Sequence, residues 1–205
     1  MTGIYLASRS PRRRELLNQL GIGFDELLGQ EQHGADVDET PHAGEAARDY
    51  VLRVANAKAR LGWRQVAVRR LPARPVLAAD TTVVLEGEIL GKPHDAEHAH
   101  HMLRRLAGQT HSVMTVVAVA LDVRLETAVS VSTVEFRNLD DAEIRAYVES
   151  GEPLDKAGAY AIQGRAAAFV RTLRGSYSGI MGLPLGDTAD LLWRFGIASN
   201  WGPRD

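Results

Sequence analysis

Alternation of helix-like and strand-like apolar patterning predicts an α/β fold with a mixed central sheet and flanking helices. Apolar residues recur at helical spacing in several stretches, and β-branched runs are interleaved with them. Two long Val- and Thr-rich runs also stand side by side in the middle of the chain. Interleaved strands and helices favour parallel pairing, whereas adjacent long strands favour an antiparallel hairpin, so together they imply a mixed sheet. At 205 residues the chain suffices for one sizeable domain or for two lobes around a central sheet. Nothing in its composition marks a boundary, so a single domain over residues 1–205 is the expectation.

Ile4-Tyr5-Leu6-Ala7 reads as a short strand and residues 11–20 as a helix. Ser10 stands at its N-cap, and Pro11 takes the first helical position, where a missing N–H costs nothing. Gly21-Ile22-Gly23 stops the helix, and residues 24–28 read as a short strand. Residues 29–41 form a polar, acidic loop carrying Glu31, Asp36, Asp38 and Glu39. Residues 43–63 form a long helix through Ala47, Tyr50, Val51, Val54, Ala55 and Leu61, and the basic, proline-bearing residues 64–75 an exposed connection. Residues 76–85 are strand-like and apolar apart from Asp80 and the threonines, and Glu86-Gly87 turns the chain into Ile89-Leu90. A helix over 95–106 precedes strands over 112–121 and 127–136. Asp140-Asp141-Ala142-Glu143 opens the next helix with an acidic first turn, and Gly151 closes it. Residues 155–164 read as an ordered loop and 175–182 as a Gly-rich loop, after which Pro184 starts a last helix ending near Phe195.

Composition excludes several functions. Net charge is −2, with 45% hydrophobic and 24% charged residues, so no overall basic field draws a nucleic acid polymer. There is no cysteine, which removes disulfides, thiolate catalysis and sulfur-ligated zinc. No apolar run approaches the roughly 18 residues that span a membrane, and the first residues lack a signal-peptide order. A soluble, cytoplasmic protein with no membrane partner is expected. The G-x-x-x-x-G-K-[ST], G-x-G-x-x-G and G-x-S-x-G patterns are also missing.

Candidate chemistry starts at the first strand–helix junction. Ser8, Ser10, Arg9, Arg12, Arg13 and Arg14 gather at a helix N-terminus, where free N–H groups and arginine forks favour a phosphate. The same residues also suit a capped helix with solvated arginines. Asp80 interrupts an apolar strand; burying it is costly unless it meets a cation, a metal or hydrogen-bond donors, and a strand-end position facing water is the alternative. Lys92, between Gly91 and Pro93, sits on a rigid turn that can aim it at an anion or at solvent. Lys58 is unremarkable by itself. Gln163 offers one acceptor and two donors, enough for a base edge or for an ordinary loop hydrogen bond. His94 and His98 have a spacing that can share a divalent ion, with His100 and His101 beside them. Ala99, Met102, Leu103 and Leu106 form the apolar face of that helix, which turns most of the histidines to solvent. A hard cation on carboxylate and phosphate oxygens suits this chain better.

Several motifs follow one another along nearly the whole chain: Leu6-Ala7-Ser8-Arg9-Ser10-Pro11-Arg12-Arg13, Arg53-Val54-Ala55-Asn56-Ala57-Lys58-Ala59, Ala79-Asp80-Thr81 and Gly87-Glu88-Ile89-Leu90-Gly91-Lys92-Pro93. His111-Ser112-Val113-Met114-Thr115, Asp155-Lys156-Ala157-Gly158-Ala159-Tyr160 and Gly182-Leu183-Pro184-Leu185 complete the series. In this order they resemble the Maf family of nucleoside triphosphate pyrophosphatases. The resemblance implies an elongated α/β fold, two lobes around a deep cleft, related in architecture to house-cleaning inosine triphosphatases. It also implies a divalent cation, magnesium or manganese, and a homodimer. By the same resemblance, water attacks the α-phosphate and pyrophosphate leaves. Asp80 is then the general base and shares a metal with Glu39, while Ser8, Ser10, Arg12, Arg13, Lys58 and Lys92 bind the triphosphate.

The subgroup that this chain is similar to hydrolyses dTTP and UTP, and carries arginine, threonine and glutamine where Arg12, Thr81 and Gln163 stand. A sister subgroup acting on 7-methyl-GTP carries tryptophan, glutamine and glutamate there. Thymine and uracil present an acceptor–donor–acceptor edge that a neutral amide and a hydroxyl can satisfy, whereas a methylated, positively charged guanine favours a carboxylate and an aromatic ring. Arg9 and the long 64–75 segment depart from the pattern. Other readings are hydrolysis of 7-methyl-GTP, CTP or modified uridine triphosphates, or a nucleotide-binding regulator of septum formation.

Overall fold

The computed structural model describes residues 3–27 and 37–198. Its strands are β1 (Ile4–Leu6), β2 (Phe24–Glu26), β3 (Val76–Leu85), β4 (Glu88–Leu90), β5 (Thr110–Leu121), β6 (Arg124–Phe136) and β7 (Val170–Arg174). Its α-helices are α1 (Pro11–Gln19), α2 (Ala47–Val68), α3 (Ala96–Leu106), α4 (Asp141–Glu149), α5 (Tyr177–Met181) and α6 (Leu185–Arg194). The strands form one sheet in the order β2-β1-β3-β5-β6-β7, with β4 on β3. β1 pairs parallel with β2 and β3, where helices make the crossovers, and the remaining pairs are antiparallel. The mixed sheet with flanking helices is therefore present. Glu86 and Gly87 both take positive φ, 51° and 84°, as a two-residue hairpin turn requires.

β3 is the spine of the molecule. Its first residues are buried on both faces, which explains a run without polar alternation. Val76 and Ala78 pack on the α2 side with Val51, Val54, Ala55 and Ala59. Leu77 and Ala79 pack on the opposite side, with Leu16 and Leu17 of α1 and Leu191 and Leu192 of α6. The period of two therefore sends Asp80 to the α2 face and Thr81 to the α1 face. Further on, Val83 and Leu85 enter another cluster with Leu103 and Leu106 of α3, Ile144 of α4, and Phe136. Each fully buried leucine there contributes roughly 1.5–3 kcal/mol. Helices thus cover both faces at one end of the sheet, α3 and α4 cover the other, and β3 and β5 run through both.

α2 lies close on the sheet because residue 62 is glycine: a Cβ there would stand 2.7 Å from Val76 Cγ1 and 3.0 Å from Ala7 Cβ. The helix runs to Val68, so residues 64–68 are helical rather than a connection. No proline intervenes before Pro72, and Val66 is buried in the core under the sheet. β7 and α5, five residues each, were not expected, since periodicity is illegible over so short a span. Ser176 caps α5 by accepting from the Gly179 N–H at 2.9 Å. Ser10 occupies the α1 N-cap, but its hydroxyl makes no cap; Ser8 Oγ accepts the Ser10 N–H instead, at 3.2 Å. Residues 152–159 form 3₁₀ turns, with Gly158 at φ 67°. Leu28, Glu31 and Asp36 lie outside the described residues.

Candidate active site

A cleft of about 730 Å³ opens where the β1–α1 junction, α2, the middle of β3, the turn after β4, the 3₁₀ segment and the end of α5 meet. It is lined by Ser8, Ser10, Arg12, Arg13, Glu39 and Lys58, and also by Asp80, Thr81, Lys92 and Gln163. Every residue that the resemblance assigned to the site therefore lines one cleft. Arg14 does not line it, being paired with Glu26 of β2 at 2.8 Å.

One wall is acidic. Asp80, only 7% exposed, is paired through Oδ1 with Lys58 Nζ at 2.7 Å, and the same ammonium meets Glu39 Oε1 at 2.7 Å. The buried carboxylate thus has the cation its position demands. Burial by itself would raise the Glu39 carboxyl, but the hydrogen bond and charge of Lys58 hold it below the usual carboxylate range. The Glu39 segment is pinned from α2. Arg53 donates to the carbonyls of Asp38 (3.2 Å) and Thr40 (3.0 Å), and the Tyr50 hydroxyl donates to that of Glu39 at 3.0 Å. Glu45 grips Arg53 with both oxygens, at 2.7 and 2.8 Å, and that contact draws its carboxyl down to about 2. Burial first, then the Asp80 and Glu39 charges, push the Tyr50 phenol up to about 12.

The opposite wall is cationic. Arg13 donates from Nε to the Gly182 carbonyl (2.9 Å), from Nη1 to Ser8 Oγ (3.1 Å) and from Nη2 to Thr81 Oγ1 (3.3 Å). Three of its five N–H groups are fixed by these contacts, which leaves one on each terminal nitrogen. Burial lowers its pKa and the Asp80 charge works against that, so the two walls act on each other. Thr81 and Thr115 face each other across β3 and β5, hydroxyls 2.9 Å apart, and Thr115 donates to the Gly179 carbonyl at 2.7 Å.

Arg12, Lys92 and Lys156 also line the cleft. Lys156 is held on its 3₁₀ turn by the Gly158 N–H bonding the Gly91 carbonyl at 3.0 Å, and it pairs with Asp155. Burial and then the neighbouring Arg12 charge, offset by Glu152 and reinforced by Lys92, push its ammonium down to about 8. Lys156, Thr115 and the Gly182 carbonyl were not among the expected site residues. The lysine between aspartate and an Ala-Gly-Ala turn was a usable signal; a threonine inside a Val-rich strand was not.

Among the described residues no group of three or more His, Asp or Glu is set to hold a metal. Asp80 and Glu39, however, already converge on one ammonium and offer the hard oxygens that magnesium or manganese takes, with water and phosphate left to complete the shell. His94 and His98 touch through Nδ1 atoms 2.7 Å apart, exposed and away from the cleft lining.

A family model described as Maf-like protein matches residues 3–195. The dTTP/UTP pyrophosphatase of Aromatoleum aromaticum is 57% identical over 196 residues, covering 94% of this chain and 95% of that protein. The dTTP/UTP pyrophosphatase of Dechloromonas aromatica is also 57% identical, over 95% of this chain and 98% of its own. That of Escherichia coli O157:H7 is 51% identical, over 95% and 94%. The solved structure of the Staphylococcus aureus Ham1 protein overlaps 94% of this chain and 97% of that one, at 15% identity and a TM-score of 0.48. On the span of the family model and the identity of these relatives, the chain belongs to the Maf family.

Proposed function

We propose that this protein hydrolyses dTTP and UTP to the nucleoside monophosphate and pyrophosphate, as the printed names of its relatives say of them. The observation that carries the reading is the pair of walls. A carboxylate on β3, Asp80, and a pinned guanidinium on α1, Arg13, line the same cleft. The triphosphate lies along the cationic wall, with the two uncommitted Arg13 N–H groups, Ser8, Ser10, Arg12, Lys58 and Lys92 on its oxygens. Asp80 takes the proton of a water whose oxygen bonds to the α-phosphorus. The bond from that phosphorus to the α,β-bridging oxygen breaks, and pyrophosphate leaves with the electron pair. Lys58 engages Asp80 Oδ1, so Oδ2 is the proton acceptor. The fixed cations meet the charge that grows on the leaving group, and because they are already oriented they need no reorganisation. Asp80 and Glu39 would hold a magnesium or manganese ion, which would add to the neutralisation of the triphosphate. Thr81 and Gln163 select the base, with Arg12 at the third selective position.

The same reading takes the chain as one domain, a homodimer and a cytoplasmic protein; no described helix is long and apolar enough to cross a membrane. The test is pyrophosphate release from dTTP, UTP, CTP and 7-methyl-GTP, each with magnesium, with manganese and with chelator. Fast turnover of dTTP and UTP, lost on chelation, is expected. A preference for 7-methyl-GTP, or no release from any of the four, contradicts the proposal.

A further inference from the structure

Thr115 lies in β5 opposite Thr81 and is not itself a lining residue of the cleft. Its side chain is 1% exposed, so its hydroxyl has no solvent to turn to. A hydroxyl owns one proton and two lone pairs. The Gly179 carbonyl can only accept, so at 2.7 Å it takes the Thr115 proton. Thr115 is therefore an acceptor toward Thr81, 2.9 Å away, and Thr81 must spend its own proton on Thr115. Arg13 Nη2 then donates into one Thr81 lone pair at 3.3 Å. One lone pair is left on Thr81 Oγ1 and no proton. Glycine at 182 leaves the space beside that oxygen clear, since a Cβ there would stand against it at 3.6 Å, in van der Waals contact.

We infer that Thr115 is a positioning residue for base selection: by consuming the Thr81 proton it makes Thr81 an acceptor only, so the cleft favours a base that presents an N–H at that point. Uracil and thymine carry such a group at N3, whereas cytosine has a bare ring nitrogen there, which would set two lone pairs against each other. This assignment rests on the proposed pyrimidine triphosphatase reading and adds to it the origin of the preference. Leaving a buried polar group facing a like partner is costly, and sites built on such hydrogen bonds reject the mismatched analogue strongly.

The experiment compares kcat/KM for UTP and CTP in the wild type, Thr115→Val and Thr115→Ser. Valine matches threonine in shape but accepts nothing, so Thr81 can rotate its proton toward a bare ring nitrogen. The UTP-to-CTP ratio is expected to fall ten-fold or more in Thr115→Val, chiefly through a gain on CTP, and to be restored in Thr115→Ser. Should the valine variant not fold, Thr115→Cys, near in size and a poor acceptor, is expected to lower the same ratio. A merely structural role for Thr115 would lower both substrates together and leave the ratio unchanged, which overturns the inference. A wild type that does not release pyrophosphate from UTP overturns the underlying reading instead.

Discussion

Lys156 has the clearest pH signature at the level of single residues. Its ammonium is pushed down to about 8 by burial and by nearby cations, so it is charged below that pH and neutral above it. A triphosphate alongside is gripped by the charged form, hence KM for UTP is expected to rise as pH passes 8. Lys156→Gln is expected to raise KM about five- to ten-fold at pH 7, the effect of roughly 1 kcal/mol, and to flatten the rise above pH 8. A KM–pH profile identical in both proteins would contradict a part for Lys156 in binding. Gln163→Glu places a carboxylate where a neutral amide lines the cleft, and the dTTP-to-7-methyl-GTP ratio is expected to fall; an unaltered ratio would count against base reading by this residue. Ser8, Arg13 and Asp80 were legible as sites because each breaks a local rule, a charge in an apolar strand or arginines crowded at a helix start. Thr115 breaks none, and its part depends on a register that only pairing with β3 defines.

α2 does more for the cleft than its one lining cation, Lys58, suggests. Arg53 holds both carbonyls that flank Glu39, and Glu45 in turn holds Arg53. Arg53→Ala is expected to leave the helix folded while loosening Glu39, lowering kcat several-fold and weakening magnesium-dependent activation; a magnesium titration like that of the wild type would contradict this. Gly62→Ala probes the contact that sets the helix against the sheet. Overpacking at this depth costs typically 1–3 kcal/mol, and a lowered melting temperature is the measurement. Long elements were read well from the sequence, since α3, β5 and β6 carry enough residues for their periods to show. Short ones were not: α5 is held by the Thr115 hydroxyl on its Gly179 carbonyl and β7 by its strand partner β6, contacts that no local period shows.

Over the whole molecule, β3 and β5 join the two ends of the sheet, so loss of either end is expected to melt both in one transition. Acid should weaken that unit through His111, enclosed by Phe136 and Tyr160 and pushed down to about 4 by burial. Between pH 6.5 and 4 the unfolded chain binds a proton that the folded one refuses, so stability is full above that window and falls through it, by on the order of 3 kcal/mol. His111→Gln is expected to flatten that part of a melting-temperature–pH series; an unchanged slope would contradict it. The sheet also makes the cleft, because one strand delivers Asp80 to one face and Thr81 to the other. The most direct test is single-turnover hydrolysis of UTP with magnesium by Asp80→Asn, alongside UTP binding to the same protein. A folded variant that still binds UTP but turns over at least a hundred-fold more slowly is expected. Near-normal turnover by that variant would contradict the account at its base.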